Sequence, residues 1–218
     1  KDADSYMAEA GYDVGLLFTI IGTPFYEAQG RTPILLPTFE FSIGSGPGHV
    51  AEQPARSLNA EEDLDSVAAI YEVYSQNLTG PEIRSRDYWI SGPSRIRGVF
   101  PEWGVDIEGR LAGYVNFGVQ EDHIWVKEAC TLAGSKGAIT TLAERVATAA
   151  TESDLPKICG SLLPGHPLVK ELAQILSGEL SGGTHDEMML KVMNWETVKQ
   201  KLGGEGAPEH QPEEEGPL

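Results

Sequence analysis

Three consecutive strand-like segments, followed by a helix and a further strand, restrict the fold of this chain more than any other feature. The strands are predicted at residues 97–109, 110–120, 123–130 and 156–163. Gly109 suits a hairpin turn between the first two strands, which are therefore predicted to pair antiparallel. The helix that begins after Gly134 separates the last two strands and predicts a parallel pair joined by a crossover. The pattern predicts an α/β (α+β) fold with a mainly antiparallel sheet flanked by helices.

The segments around this unit complete a second predicted domain. A helix with acidic residues in its first turn is predicted over residues 60–80, and a shorter helix over residues 82–90. A helix over residues 166–176 and a strand over residues 187–194 close the unit. The middle strand of the three alternates, which places on one predicted face Leu111, Gly113, Val115, Phe117 and Val119.

The first 43 residues form a shorter predicted unit. A helix ends at Gly11, an apolar strand follows at residues 13–19, and Pro24 begins a short helix. Residues 32–43 are then predicted to be extended. Because both units end on the order helix, strand, turn, short helix, strand, the chain carries a weak internal repeat. The Gly- and Pro-rich stretch at residues 44–57 is predicted to be a linker between them.

The formal net charge of −17 and the pI near 4.6 argue against nucleic acid and anionic membranes as partners. No run approaches the roughly 18 apolar residues that a transmembrane helix needs. The acidic residues 203–218 contain almost no apolar side chains and are predicted to be a disordered tail. Cys130 and Cys159 lie in apolar segments, which predicts buried, reduced thiols and a cytoplasmic location.

The order of segments resembles that of the GCN5-related N-acetyltransferase (GNAT) superfamily. The predicted domain at residues 58–202 resembles a complete GNAT unit, and residues 1–43 resemble the C-terminal part of another, whose N-terminal part would precede Lys1. The "FYE" helix at residues 25–27 is similar to the corresponding GNAT segment, and "RSRDYW" at residues 84–89 resembles acetyltransferases of the enhanced-intracellular-survival type. The resemblance therefore implies a tandem GNAT arrangement.

The resemblance implies two sets of candidate site residues. In GNAT enzymes a loop before a helix holds the CoA pyrophosphate with backbone N–H groups, and the matching residues here are Gly134, Ser135, Lys136, Gly137 and Ala138. Ile139 stands where the family has Gly or Ala, so a loop that only begins the helix is the alternative. The resemblance also makes Tyr26 a candidate acid for the departing thiolate, and an aromatic side chain that packs the short helix on the sheet is its alternative.

Three further candidates come from the residues themselves. Glu128 could activate an amine as a general base, although a strand glutamate that faces solvent is the commoner arrangement. His166 precedes a predicted helix and is expected to cap it or pack against it. His123, His185 and Asp186 lack the spacing of metal ligands, so no metal is expected.

The leading hypothesis is an N-acetyltransferase that transfers acetyl from acetyl-CoA to a small-molecule amine or a lysine side chain. Its rivals are a non-catalytic GNAT-like module that binds a ligand or mediates assembly, and a fragment whose active site lies upstream of Lys1. Half a GNAT unit exposes apolar surface, so we expect residues 1–43 to pack on the second unit or on another copy of the chain.

Overall fold

The structure is a computed structural model that describes residues 2–19, 21–43, 54–76, 78, 81–91, 100–163, 165–176 and 179–201. The helices are α1 (Asp2–Glu9), α2 (Pro24–Glu27), α3 (Leu64–Ser75), α4 (Arg86–Ser91), α5 (Lys136–Glu152), α6 (Pro167–Leu176) and α7 (Trp195–Lys201). The strands are β1 (Val14–Phe18), β2 (Thr32–Ser42), β3 (Arg56–Ser57), β4 (Trp103–Ile107), β5 (Arg110–Val119), β6 (His123–Thr131), β7 (Lys157–Gly160) and β8 (Leu180–Val192).

The predicted linker and the predicted tail are described only in part or not at all. Residues 44–53 of the predicted linker and the predicted tail at residues 203–218 lie outside the described residues. The end of the predicted linker is a strand, because Arg56 pairs with Gly104 and Ser57 with Trp103 in an antiparallel ladder. Helix α7 was not predicted from the sequence.

The chain divides into two compact units. The smaller unit combines residues 1–36 with residues 186–218, and the larger unit covers residues 37–185. Strands β2 and β8 therefore each contribute residues to both units. None of the described helices is both long and apolar enough to cross a lipid bilayer.

In the larger unit the strands follow the order β2, β7, β6, β5, β4, β3. The hairpin between β4 and β5 turns at Glu108 and Gly109, which both have positive φ angles, of 53° and 75°. Strands β6 and β7 pair parallel, from His123 opposite Lys157 to Val126 opposite Gly160, and α5 connects them. The predicted hairpin and the predicted parallel pair are both confirmed, as is the mainly antiparallel α/β fold.

Two β-bulges change the side of the sheet on which side chains of the central strands lie. One residue of β5, Ala112, is extra in the pairing with β4, and Lys127 of β6 is extra in the pairing with β5. A bulge of one residue reverses the side-chain alternation beyond it. Leu111 therefore lies on the opposite face from Val115, so the prediction that these two share a face is wrong.

Both faces of this sheet are covered. Helix α5 packs on one face through a buried apolar stripe that includes Ile139, Leu142 and Val146, as its periodicity predicts. Helix α3 packs on the other face with Leu64, Val67, Ile70 and Tyr71, against Leu111 and Tyr114 of β5. Because β5 is buried on both sides over most of its length, it forms the centre of the core.

The smaller unit pairs β1 antiparallel with β8, from Val14 opposite Val192 to Phe18 opposite Met188. Asp4 of α1 accepts hydrogen bonds from Arg31 and from Lys191 of β8, the latter at 3.0 Å. The bond from Lys191 is the main reason that the pKa of the Asp4 carboxyl is lowered, and the charge of Arg31 adds to it. This ion cluster connects the helix, a loop and a strand of the smaller unit.

Candidate functional site

The pairing of the two parallel strands stops before the predicted phosphate loop begins. Strands β6 and β7 pair only as far as Val126 and Gly160. Beyond these residues β7 ends, while β6 continues beside β5 to Thr131. Openings at the carboxyl ends of parallel strands are the usual place for ligands in α/β sheets.

His166 lies in this part of the larger unit and is buried. Its Nδ1 accepts a hydrogen bond from the N–H of Leu168 at 3.1 Å, so the ring proton is on Nε2. Nε2 then donates to the carbonyl oxygen of Ala129 on β6, also at 3.1 Å. Burial is the main reason that the pKa of His166 is lowered to about 4. The expected capping role is confirmed, and the same side chain also bonds β6 beyond the end of the parallel pairing.

The predicted phosphate loop has the turn that the sequence suggests, with Gly134 at a φ of 84°. Three of its backbone N–H groups, however, donate to backbone carbonyls two or three residues earlier. Ser135 donates to Leu132 at 3.2 Å, Lys136 to Gly134 at 3.0 Å, and Ala138 to Ser135 at 3.1 Å. An anion site at a helix start needs such groups free and convergent. In this conformation three of the N–H groups are engaged, and the assignment of these residues to a CoA pyrophosphate stays a prediction.

A cleft of about 420 Å³ lies beside this loop. Its walls come from α3, from the loop and from the start of α6, and they are mostly apolar; they include Val73, Tyr74, Leu78, Leu132, Ile139 and Pro167. Lys136, which is exposed and has no ion-pair partner among the described residues, is the cation among the lining residues. The cleft can hold an apolar group next to one positive charge.

Glu128, the candidate general base, is engaged on both carboxylate oxygens. Arg84 donates to Oε1 at 2.9 Å and to Oε2 at 2.7 Å, and the hydroxyl of Tyr114 donates to Oε1 at 2.8 Å. The side chains of Arg84 and Glu128 are 8% and 17% exposed, so this ion pair is shielded from water. The glutamate neither faces solvent nor presents a free oxygen to an amine.

The guanidinium of Arg84 also contacts two aromatic rings. Its central carbon lies 4.0 Å from the centre of the Tyr71 ring and 4.9 Å from that of Trp89, and the two rings meet edge to face. Burial, with Glu128 adding to it, raises the pKa of Tyr114 well above its usual value, so this tyrosine stays a hydrogen-bond donor.

Tyr26 lies in the smaller unit, on the four-residue helix α2 that Pro24 begins. It is half-buried, and its ring meets that of Phe25 edge to face at 5.0 Å. Its hydroxyl has no hydrogen-bond partner within the described parts of the chain. The loop of Gly134–Ala138 lies in the larger unit, so the two predicted sets of site residues belong to different units.

The two thiols are buried, and the described histidines belong to no metal-binding group. Cys130 and Cys159 are buried and not paired with each other, as predicted. Burial is the main reason that the pKa of Cys159 is raised to about 11, which leaves the thiol protonated and unreactive near neutral pH. Over the described ranges, no three His, Cys, Asp or Glu side chains come together closely enough to hold a metal ion.

No family model and no curated protein matches the chain, whereas solved structures do. A conserved protein from Enterococcus faecalis V583, a probable N-acyltransferase, superposes with a TM-score of 0.62 at 16% identity and covers 92% of this chain. A GCN5-related N-acetyltransferase from Anabaena variabilis gives 0.61 at 16% identity over 95% of this chain, and Eis1 from Mycobacterium abscessus gives 0.51 at 18% over 91%. The chain has the GNAT fold.

This chain spans about half the length of these solved GNAT proteins, covering 50%, 52% and 52% of them. The similarity supports the fold that the segment order suggested. The tandem arrangement and the shortened first copy remain predictions.

Sequence reasoning missed the Arg84–Glu128 pair, although it singled out both residues, because nothing local in a single sequence connects positions 44 residues apart.

Proposed function

We propose that this protein functions as a GNAT-type N-acetyltransferase that moves an acetyl group from acetyl-CoA to a primary amine. The proposal depends on one observation about Tyr26 in this GNAT-fold chain. Its phenol is half-buried, and its hydroxyl has no hydrogen-bond partner among the described residues. A tyrosine hydroxyl can act as a general acid and protonate a leaving thiolate. The proposal gives Tyr26, in the smaller unit, the role of general acid.

In the proposed reaction a neutral amine attacks the thioester carbonyl carbon. A C–N bond forms, the C–S bond breaks, and the leaving thiolate takes the phenolic proton of Tyr26. The proton lost by the amine nitrogen goes to water, and the phenolate recovers a proton from water. Atoms and charge balance without a metal or a redox partner.

The acceptor is proposed to be a cationic amine in its free form, such as a polyamine, an aminoglycoside or a lysine side chain. A net charge of −17 raises the local concentration of cations near the protein surface. The buried, unpaired thiols of Cys130 and Cys159 suit a reducing compartment such as the cytoplasm.

Replacement of Tyr26 by phenylalanine is expected to lower kcat for acetyl transfer by about a hundredfold, because general acid catalysis contributes on that order. Release of the CoA thiol, followed with a thiol-reactive dye and a panel of polyamines and aminoglycosides, measures the rate. Tyr12→Phe is the matched control, since Tyr12 is 58% exposed and lies outside the proposed site. Equal rates for Tyr26→Phe and wild type, or no transfer to any amine, would contradict the proposal.

The second candidate is that the larger unit is a non-catalytic binding or assembly module. Two observations favour it: Glu128 is engaged by Arg84, and three N–H groups of the loop donate to backbone carbonyls two or three residues earlier. The two candidate functions are compatible if the smaller unit carries out catalysis and the larger unit only binds or assembles.

Gly137→Val tests whether the loop of the larger unit binds acetyl-CoA. A Cβ at Gly137 would have nothing within 4 Å, so the substitution should leave the free protein folded. We expect the melting temperature of this variant to respond to millimolar acetyl-CoA as wild type does. A ligand at 100 times its Kd stabilises by about 2.7 kcal/mol, so a wild-type rise that disappears in Gly137→Val would assign cofactor binding to the loop.

A further inference from the structure

The surroundings of Arg84 have the composition of a binding site for an organic cation. We propose that Tyr71, Trp89 and Glu128 form a guanidinium cage, which Arg84 occupies as an internal ligand and which accepts an alkylguanidinium group when Arg84 moves out. This inference does not depend on the acetyltransferase activity.

The contacts in the guanidinium cage are those of a ligand site. Two parallel N–H donors meet the two oxygens of one carboxylate, at 2.9 and 2.7 Å, which is the fork geometry particular to guanidinium. The rings of Tyr71 and Trp89 lie within 4.0 and 4.9 Å of the same guanidinium, inside the range of cation–π attraction. The hydroxyl of Tyr114 holds Glu128 in place at 2.8 Å. An ammonium group could use only part of this arrangement.

Arg84 reaches the cage from a short irregular segment. Residues 81–85 are neither helix nor strand, and the neighbouring Ile83 is 96% exposed. The hydroxyl of Tyr71 holds the segment by donating to the carbonyl of Glu82 at 2.9 Å.

A second position for the Arg84 side chain lies next to the first. A cavity of about 470 Å³ borders Arg84, Tyr71 and Trp89. The Nε of Arg84 already lies 3.3 Å from the carboxylate of Glu82, whose side chain is 57% exposed. A displaced arginine can therefore enter the cavity and keep an acidic partner, while its place on Glu128 is taken by the incoming group.

The attached arginine competes with free ligand through its high local concentration. A group held on a short segment acts at an effective concentration in the millimolar range, so wild type is expected to bind ethylguanidinium at least about tenfold more weakly than Arg84→Ala does. Isothermal titration on the full chain measures this ratio.

The principal experiment is recovery of stability in Arg84→Ala. This variant is expected to melt below wild type and to regain at least about half of the lost melting temperature in 10 mM ethylguanidinium, because the ligand restores the partner of a buried carboxylate. Ethylammonium at the same concentration should restore much less. Arg145→Ala is the matched control. The guanidinium carbon of Arg145 also lies over an aromatic ring, 4.1 Å from the centre of Trp103, but its carboxylate partner Glu152 is 62% exposed.

Each outcome decides the proposal. Selective recovery of Arg84→Ala by ethylguanidinium, absent in Arg145→Ala, supports the cage. Equal effects of the two cations, or no recovery of a variant that is folded by circular dichroism, overturn it. If Arg84→Ala is unfolded in buffer, refolding on addition of ethylguanidinium supports the cage and failure to refold overturns it.

Discussion

Glu128→Ala is expected to lower the free energy of unfolding by about 3–5 kcal/mol, the usual cost of removing one member of a buried ion pair. The substitution leaves the guanidinium of Arg84, which is 8% exposed, without the carboxylate that balances it. It also leaves the buried hydroxyl of Tyr114 without its acceptor. Urea unfolding monitored by tryptophan fluorescence measures the change.

An ion pair whose carboxylate is exposed, on the other face of the same sheet, provides the control. Glu152 bonds Arg145 at 3.1 Å but is 62% exposed, so Glu152→Ala should cost less than about 1 kcal/mol. The double variant Arg84→Met with Glu128→Leu removes both charges, and it should be closer to wild type than Glu128→Ala is. If Glu128→Ala costs no more than Glu152→Ala, the buried pair contributes nothing particular to stability.

The stability contributed by His166 is expected to fall by about 3 kcal/mol between pH 7 and pH 4, since one pKa unit corresponds to 1.36 kcal/mol. Its pKa is about 4 in the folded protein, against an ordinary value of 6.5. Below pH 6.5 the His166 side chain therefore binds a proton in the unfolded chain, whereas in the folded chain it binds one only near pH 4. The contribution is complete above pH 6.5 and is lost progressively as the pH falls through this window.

His166→Asn isolates this contribution from the carboxylates, which also lose stability in acid. Asparagine can still accept the Leu168 N–H at the start of α6, but it does not titrate. Wild type should be the more stable protein at pH 7, and the difference should shrink or reverse at pH 4. Parallel loss of stability in the two proteins across the window would show that His166 does not titrate as described.

The guanidinium cage and His166 both engage polar groups of β6 in the larger unit. Glu128 is held by Arg84 and Tyr114, while His166 bonds the carbonyl of Ala129 next to it on β6. Polar groups around the end of β6 are thus satisfied within the protein. This arrangement agrees with the proposal that Tyr26, in the smaller unit, carries the chemistry.

Much of the fold could be predicted because the signals are local. Pro24 can begin a helix, and Glu108–Gly109 can adopt the positive φ angles of a hairpin turn. The apolar stripe of α5 follows from the helical period, and the helix between two buried strands implies their parallel pairing. Each of these conclusions needs only neighbouring residues and general packing rules.

What the sequence determined by itself is the order and type of the elements, and hence the resemblance to the GNAT superfamily. The tertiary structure alone decided that Leu111 faces away from Val115, because a bulge depends on the register with another strand. It also decided that Glu128 is a buried partner of Arg84 rather than a free base, since those residues meet only after α3, α4 and the central strands have packed. Local propensity acts over a few residues, whereas ion pairing and strand register depend on groups that only folding brings together.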